Sequence, residues 1–247
     1  MAYGFKENDF QHGIFLPFFT APMPAGLNWM EGKPTDIDRD KWIVPADLLE
    51  FLKNGCPQNA AAFKQAMKPF DSELALLNEL WVSVLSPKLR DSANAAVVLR
   101  DNLVFQGQTF VLWNEAPRAG ADKSAQALFE TNRLRVIAEA TFERHFPITN
   151  KRIKRRPDVV FFVNGLYFAY AELKTAQTGQ TAASNGRKKI AHNCIEAAIC
   201  ALNEARERYT AQGGVWPGFR SRNLQEAERH RIRQDICLYE RATHISS

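Results

Sequence analysis

RRPDVVFFVNGLYFAYAELK, residues 155–174, decides how the rest of the chain is read. β-Branched and aromatic residues flank Asn164-Gly165 on both sides, and Asn-Gly between two such runs is the strongest short-range signal of a β-hairpin. The polar exceptions lie at the open end: Asp158 opens the first strand, and Glu172 and Lys174 close the second. Successive side chains of a strand alternate between faces, so Glu172 and Lys174 share one face and Leu173 takes the other. Two carboxylates and an ammonium converging at one end of a sheet suit a hard divalent cation beside a nucleophilic water.

The pairing register bears on this. A two-residue loop at Asn164-Gly165 pairs Asp158 with Ala171 and leaves Asp158 and Glu172 on opposite faces. A three-residue loop, Val163-Asn164-Gly165, pairs Phe162 with Leu166 and Asp158 with Tyr170, which makes Asp158 and Glu172 same-face diagonal neighbours. That loop is a type I turn followed by a G1 bulge, with Gly165 at the left-handed position. The three-residue loop is therefore expected, unless a bulge lies elsewhere in the strands. A Glu-x-Lys triplet alone carries little information. Pro157-Asp158 fourteen positions before Glu172, with an apolar hairpin between, is far more specific. The bland alternative is a hairpin whose polar ends are merely solvated.

At these residues the sequence resembles the PD-(D/E)xK nuclease core of the motor and cleavage (R) subunit of type I restriction enzymes. The likeness rests on the R-P-D opening, the V-N-G-L turn and the E-L-K ending. It extends upstream to Asn132-Arg133-Leu134-Arg135-Val136 and downstream to Thr178-Gly179-Gln180-Thr181, with a weaker likeness through 44–52 and 76–85. The resemblance implies an α/β chain of the α+β type, with a restriction-endonuclease-like central mixed sheet flanked by helices. It implies three domain-level parts: an irregular arm over 1–44, a nuclease domain over 45–220 and an extension over 221–247 that leads to a motor domain absent here. In the resembled subunits a Gln and a Tyr four residues apart open the helix after the E-L-K. Arg187, Lys188, Lys189, His192 and Asn193 stand there instead.

Composition sets the outer limits. A chain of 247 residues can bury a sizeable core as one large domain or one domain with an appendage. Its net charge of +5 leans towards a polyanionic partner. Cys56, Cys194, Cys200 and Cys237 show neither C-x-x-C spacing nor a disulfide framework, which points to a cytoplasmic protein. The apolar run Phe15-Leu16-Pro17-Phe18-Phe19 is too short and Pro-broken to span a bilayer and lacks the pattern of a signal peptide. Residues 1–44 read as an arm packed over the domain, its phenylalanines plugging grooves.

Pro45 stands at a first helical position before ADLLEFLK, and Gly55 sits where that helix stops. Pro57 starts a second helix reaching Met67. Ser72 caps a third, SELALLNELWVSVL, with Leu74, Leu77, Trp81 and Leu85 near one face. Glu73 and Glu79 on it are candidates for the auxiliary acid that a preceding helix often supplies in this superfamily, but a solvated face explains both equally well. Residues 108–114 read as a strand, 119–124 as a loop and 125–130 as a short helix. Residues 133–142 alternate as a half-buried strand, with Leu134, Val136, Ala138, Ala140 and Phe142 opposite Arg133, Arg135, Glu139 and Thr141. Beyond Lys174 the pattern gives a long helix over 187–209, a charged helix over 224–233 and strand character over 236–245.

The function expected is metal-dependent endonucleolytic cleavage of DNA, as the nuclease part of a type I restriction-modification R subunit. Asp158, Glu172 and Lys174 form the expected catalytic set. Mg²⁺, or Mn²⁺ in its place, is held by Asp158, Glu172 and the Leu173 carbonyl. Five cations lie in Lys151-Arg152-Ile153-Lys154-Arg155-Arg156 just before Asp158. From this run Lys151, Arg152, Lys154 and Arg155, together with Lys188 and Lys189, are the expected contacts to double-stranded DNA. G-x-x-x-x-G-K-[ST] is absent, so an ATP site is not expected in this chain. The resemblance implies a methyltransferase and specificity-subunit complex and an ATP-dependent translocase as partners, and no membrane. Two other readings stay open: a catalytically silent docking or DNA-holding module of such a complex, favoured by the missing Q-x-x-x-Y, and a stand-alone repair nuclease of the same superfamily.

Overall fold

A computed structural model describes residues 7–92, 95–118, 120, 122–146 and 150–173. They fall into two compact units, the first holding residues 7–142 and 155–173 and the second residues 143–154. The first unit is built on a four-stranded mixed sheet. Its strands are β1 (Met30–Gly32), β4 (Leu134–Ala138), β7 (Val159–Val163) and β8 (Leu166–Ala171), in the order β1-β4-β7-β8. β1 runs parallel to β4, and the other pairs are antiparallel. Two small hairpins complete the strands: β2 (Leu103–Phe105) with β3 (Gln108–Phe110), and β5 (Phe142–Phe146) with β6 (Lys151–Arg155). With its helices this is the mixed α/β architecture of the α+β type expected above.

The β7–β8 hairpin is present, but its turn differs from expectation. Val163 pairs with Leu166, so the loop has two residues, Asn164-Gly165, rather than three. Both are left-handed, at φ 49° and 80°, the type I′ geometry whose twist matches that of the flanking strands. The register then shifts between Phe161 and Phe162: Phe162 faces Tyr167, Phe161 faces Ala169, and Phe168 is the extra residue. With this bulge Val159 pairs with Ala171, a register whose continuation by one step would set Asp158 opposite Glu172.

The turn is locked from three sides. Val44 N–H donates to the Gly165 carbonyl at 2.8 Å, at the start of the helix Pro45–Asn54. Asn164 is fully buried. Its Oδ1 accepts from Arg133 N–H at 2.7 Å, and its Nδ2 donates to the Leu112 carbonyl and to Asn132 Oδ1. Such pairing is obligatory for a buried amide.

The helices Pro45–Asn54 and Pro57–Ala66 start and stop where their prolines, Gly55 and Met67 predict. Ser72 caps Glu73–Leu80 by accepting from Ala75 N–H at 3.2 Å. The buried face of that helix is Leu76, Leu77, Leu80 and Leu85, while Leu74 is exposed. A π-helical turn over Trp81–Leu85 widens the repeat, carrying Leu85 back to the core five residues after Leu80. The strand expected over 108–114 ends at Phe110. Beyond it the Val111 N–H and carbonyl pair with the Asn59 amide and the Leu112 carbonyl with Asn164, so side chains replace a partner strand. Asn114 similarly ties Gly55, Leu128 and Thr131 together. The short helix begins two residues early, at Lys123, with Asp122 as its cap.

The strand expected over 133–142 ends at Ala138, because Glu139 turns left-handed at φ 53°. It is also covered on both faces rather than one. Val136 packs with Val159, Phe161 and Leu173, and Ile137 with Val160, Phe162, Ile37 and Val44. The cover on the Val136 face comes from the N-terminal arm, where the expected plugging is found but not the expected irregularity. Residues 7–20 are helical through Glu7–Phe10, a π-helical turn Gln11–Phe15 and Leu16–Thr20. The wide turn precedes Pro17, which lacks the N–H that an unbroken α-helix requires there. Phe19 and Trp29 place their rings 4.9 and 5.5 Å from that of Phe161.

Arg133 and Arg135, on the polar side of that expected half-buried strand, converge on Asp47 in the first turn of the helix Pro45–Asn54. Asp47 is 0% exposed and accepts from Arg133 Nε at 2.8 Å and from Arg135 Nε and Nη2 at 2.5 and 2.8 Å. Burial alone raises its pKa, yet hydrogen bonds from Arg135 and Arg133 outweigh it and hold the carboxyl below the ordinary range. The helix start, which favours negative charge, is thereby stitched to β4.

Candidate active site

The open end of the β7–β8 hairpin gathers Asp158, Glu172 and Leu173. Asp158 and Glu172 are half-buried, whereas the Leu173 side chain is buried with Val136, Val159 and Phe161. Continuing the strand alternation by one residue would turn both acids to the other face. The Asp158 carboxylate accepts from the Leu173 N–H at 2.6 Å, so the first strand's acid is held against the main chain of the second strand's end. The Asp158 carbonyl accepts twice, from Glu139 N–H at 2.9 Å and from Gln11 Nε2 at 3.0 Å. Pro157, before it, is buried and fixes its own φ.

Gln11 is a residue that sequence reasoning missed. It lies 147 positions from Asp158 and is only 4% exposed. Its neighbours Glu7, Asn8, Asp9 and His12 are polar too, so nothing local singles it out, and its partner lies far along the chain.

Two carboxylates and a main-chain carbonyl are hard oxygen donors of the kind Mg²⁺ and Mn²⁺ prefer, so the residues present fit such an ion. Among the described residues, no group of three or more His, Cys, Asp or Glu side chains forms a metal cluster. Glu73 is engaged by Lys53 at 2.9 Å and Glu79 is exposed. Lys174 lies outside the described residues, as do Lys188, Lys189 and the 187–209 segment.

The basic run forms β6, Lys151–Arg155, in the hairpin with β5. Arg152 is exposed and lies 3.5 Å from Glu143, Lys154 is exposed, and Arg155 is half-buried. Arg156, in the first unit, lies 3.9 Å from the Glu139 carboxylate. Exposed cations of this kind can meet phosphates, and their surface ion pairs are weak enough to exchange.

Residues 110–208 match the family described as the type I restriction enzyme R protein N terminus. The match takes in the central stretch and both of its flanking likenesses, and it bears out the resemblance there. The weaker likenesses at 44–52 and 76–85 fall outside it, and it spans less than half of the chain. No curated protein and no solved structure matches the chain.

Proposed function

We propose that this chain carries a metal-dependent DNA endonuclease site of the type I R-subunit kind, centred on Asp158, Glu172 and Lys174. What supports it is the bulged hairpin, whose register, continued one step past Val159 and Ala171, would set Asp158 opposite Glu172 within the family-matched stretch. Mg²⁺ or Mn²⁺ bound by Asp158, Glu172 and the Leu173 carbonyl would supply Lewis-acid polarisation of a phosphoryl oxygen and an acidified water. Lys174, two positions after Glu172, donates hydrogen bonds to that water or to charge developing on the phosphate. Lys151, Arg152, Lys154 and Arg155, with Lys188 and Lys189 beyond them, hold the DNA backbone, a contact without base preference. In this reading double-stranded DNA is the substrate, and sequence choice and DNA translocation come from other subunits and domains.

Titration calorimetry with Mn²⁺ on wild type and Asp158→Ala tests the site. Weak binding by wild type and none by the variant is expected, because one of two carboxylates is lost. Equal heats from both proteins would remove the metal site and favour a docking module.

A further inference from the structure

Among the buried polar side chains, Asp47, Asn59, Asn114 and Asn164 serve contacts that close the fold. Gln11 reaches instead to the main chain of a proposed metal ligand. We propose that Gln11 is a positioning residue for the Asp158 site, delivered by the N-terminal helical segment and acting on the aim of the Asp158 carboxylate. This rests on the metal-site reading above.

Asp158 is bounded by two constraints on its backbone. Pro157 limits the peptide before it, and the Gln11 and Glu139 donors hold the carbonyl after it. Losing the Gln11 donor frees one side of the Asp158 α-carbon and leaves a carbonyl with a single protein donor. The segment that carries Gln11 is itself anchored at the same end of the sheet. Leu16 shares an apolar cluster with Leu173, Val159 and Phe161, and Phe15 meets the Phe161 ring edge-on at 6.5 Å. One element thus touches the ends of both strands that supply the acids. Gln11 also opens the π-helical turn Gln11–Phe15, a widened turn of the sort frequent at functional sites. Losing a group that orients a metal's ligand typically costs about 10–100-fold in metal affinity.

The test uses the full chain, with Mn²⁺ titrated into wild type, Gln11→Met, Gln11→Asn and Asp158→Ala, and thermal unfolding followed for each. Met keeps the length and removes the donor, while Asn keeps the amide one methylene short of its target. Both are expected to bind Mn²⁺ about 10-fold more weakly than wild type while still folding. A Gln11 variant that melts earlier yet binds Mn²⁺ like wild type would overturn the proposal, since Gln11 would then only satisfy a buried carbonyl. If one variant fails to fold, the other decides. Failure of both would make Gln11 a folding determinant and overturn the proposal too. Equal heats from wild type and Asp158→Ala would overturn the metal site itself, whatever the Gln11 variants do.

Discussion

Gly165→Ala tests the packing of the central hairpin, and Gly107→Ala is its internal control. Both glycines are left-handed, at φ 80° and 69°. For an L-residue that conformation costs about 1–2 kcal/mol, offset by about 0.4–1 kcal/mol from a stiffer unfolded chain. A Cβ on Gly107 meets nothing within 4 Å, so its substitution should cost about 1 kcal/mol or less. A Cβ on Gly165 would lie 2.4 Å from Leu48 N, 2.6 Å from Leu48 Cβ and 2.6 Å from the Val44 carbonyl. Two of these are backbone atoms at the start of a helix and cannot rotate aside. Either the helix or the turn must move, which strains the Val44 N–H to Gly165 carbonyl bond. Adding about 1–3 kcal/mol of overpacking and about 1 kcal/mol for that bond gives about 2–5 kcal/mol for Gly165→Ala. In a chain of this size that lowers the melting temperature by about 4–20 °C, against about 4 °C or less for Gly107→Ala. Paired thermal melts followed by circular dichroism measure both. Equal shifts would refute the claim that the helix start closes over the turn.

Three further outcomes are expected. Asp47 has a folded-state pKa below its ordinary 3.8, so its contribution is fully present above that pH and is lost as pH falls through the lower folded value. Asp47→Asn should therefore cost about 3 kcal/mol near neutrality in urea unfolding, with the gap to wild type narrowing in acid; a pH-independent gap would refute it. Lys174→Ala should leave Mn²⁺ affinity equal or slightly higher but lower DNA cleavage by about 10²–10³, assayed with motor and specificity partners present. Wild-type cleavage would remove Lys174 from the chemistry. Replacing Lys151, Arg152 and Lys154 with Ala should weaken duplex binding and reduce its log–log salt slope by up to about one unit for each phosphate no longer neutralised. An unchanged slope would leave the run an ordinary solvated strand.

The elements legible in the sequence are those whose hydrogen bonds close within a few residues. Asn164-Gly165 marks a hairpin because those two residues tolerate left-handed backbone, and Ser72 and Pro45 mark helix starts because the partners of a cap lie one turn away. The bulge at Phe168 is not written in any local pattern, since apolar residues surround it on both sides. Asp47 with Arg133 and Arg135, and Gln11 with Asp158, pair across 86, 88 and 147 positions. A strand's period states which way a side chain points and leaves open what covers that face. Here the N-terminal arm and the start of the helix Pro45–Asn54 supply the cover, turning Arg135 into a half-buried ion-pair partner of Asp47. Burial makes an unpaired polar group costly, so each such group is matched only when the chain has folded and brought a distant partner within reach.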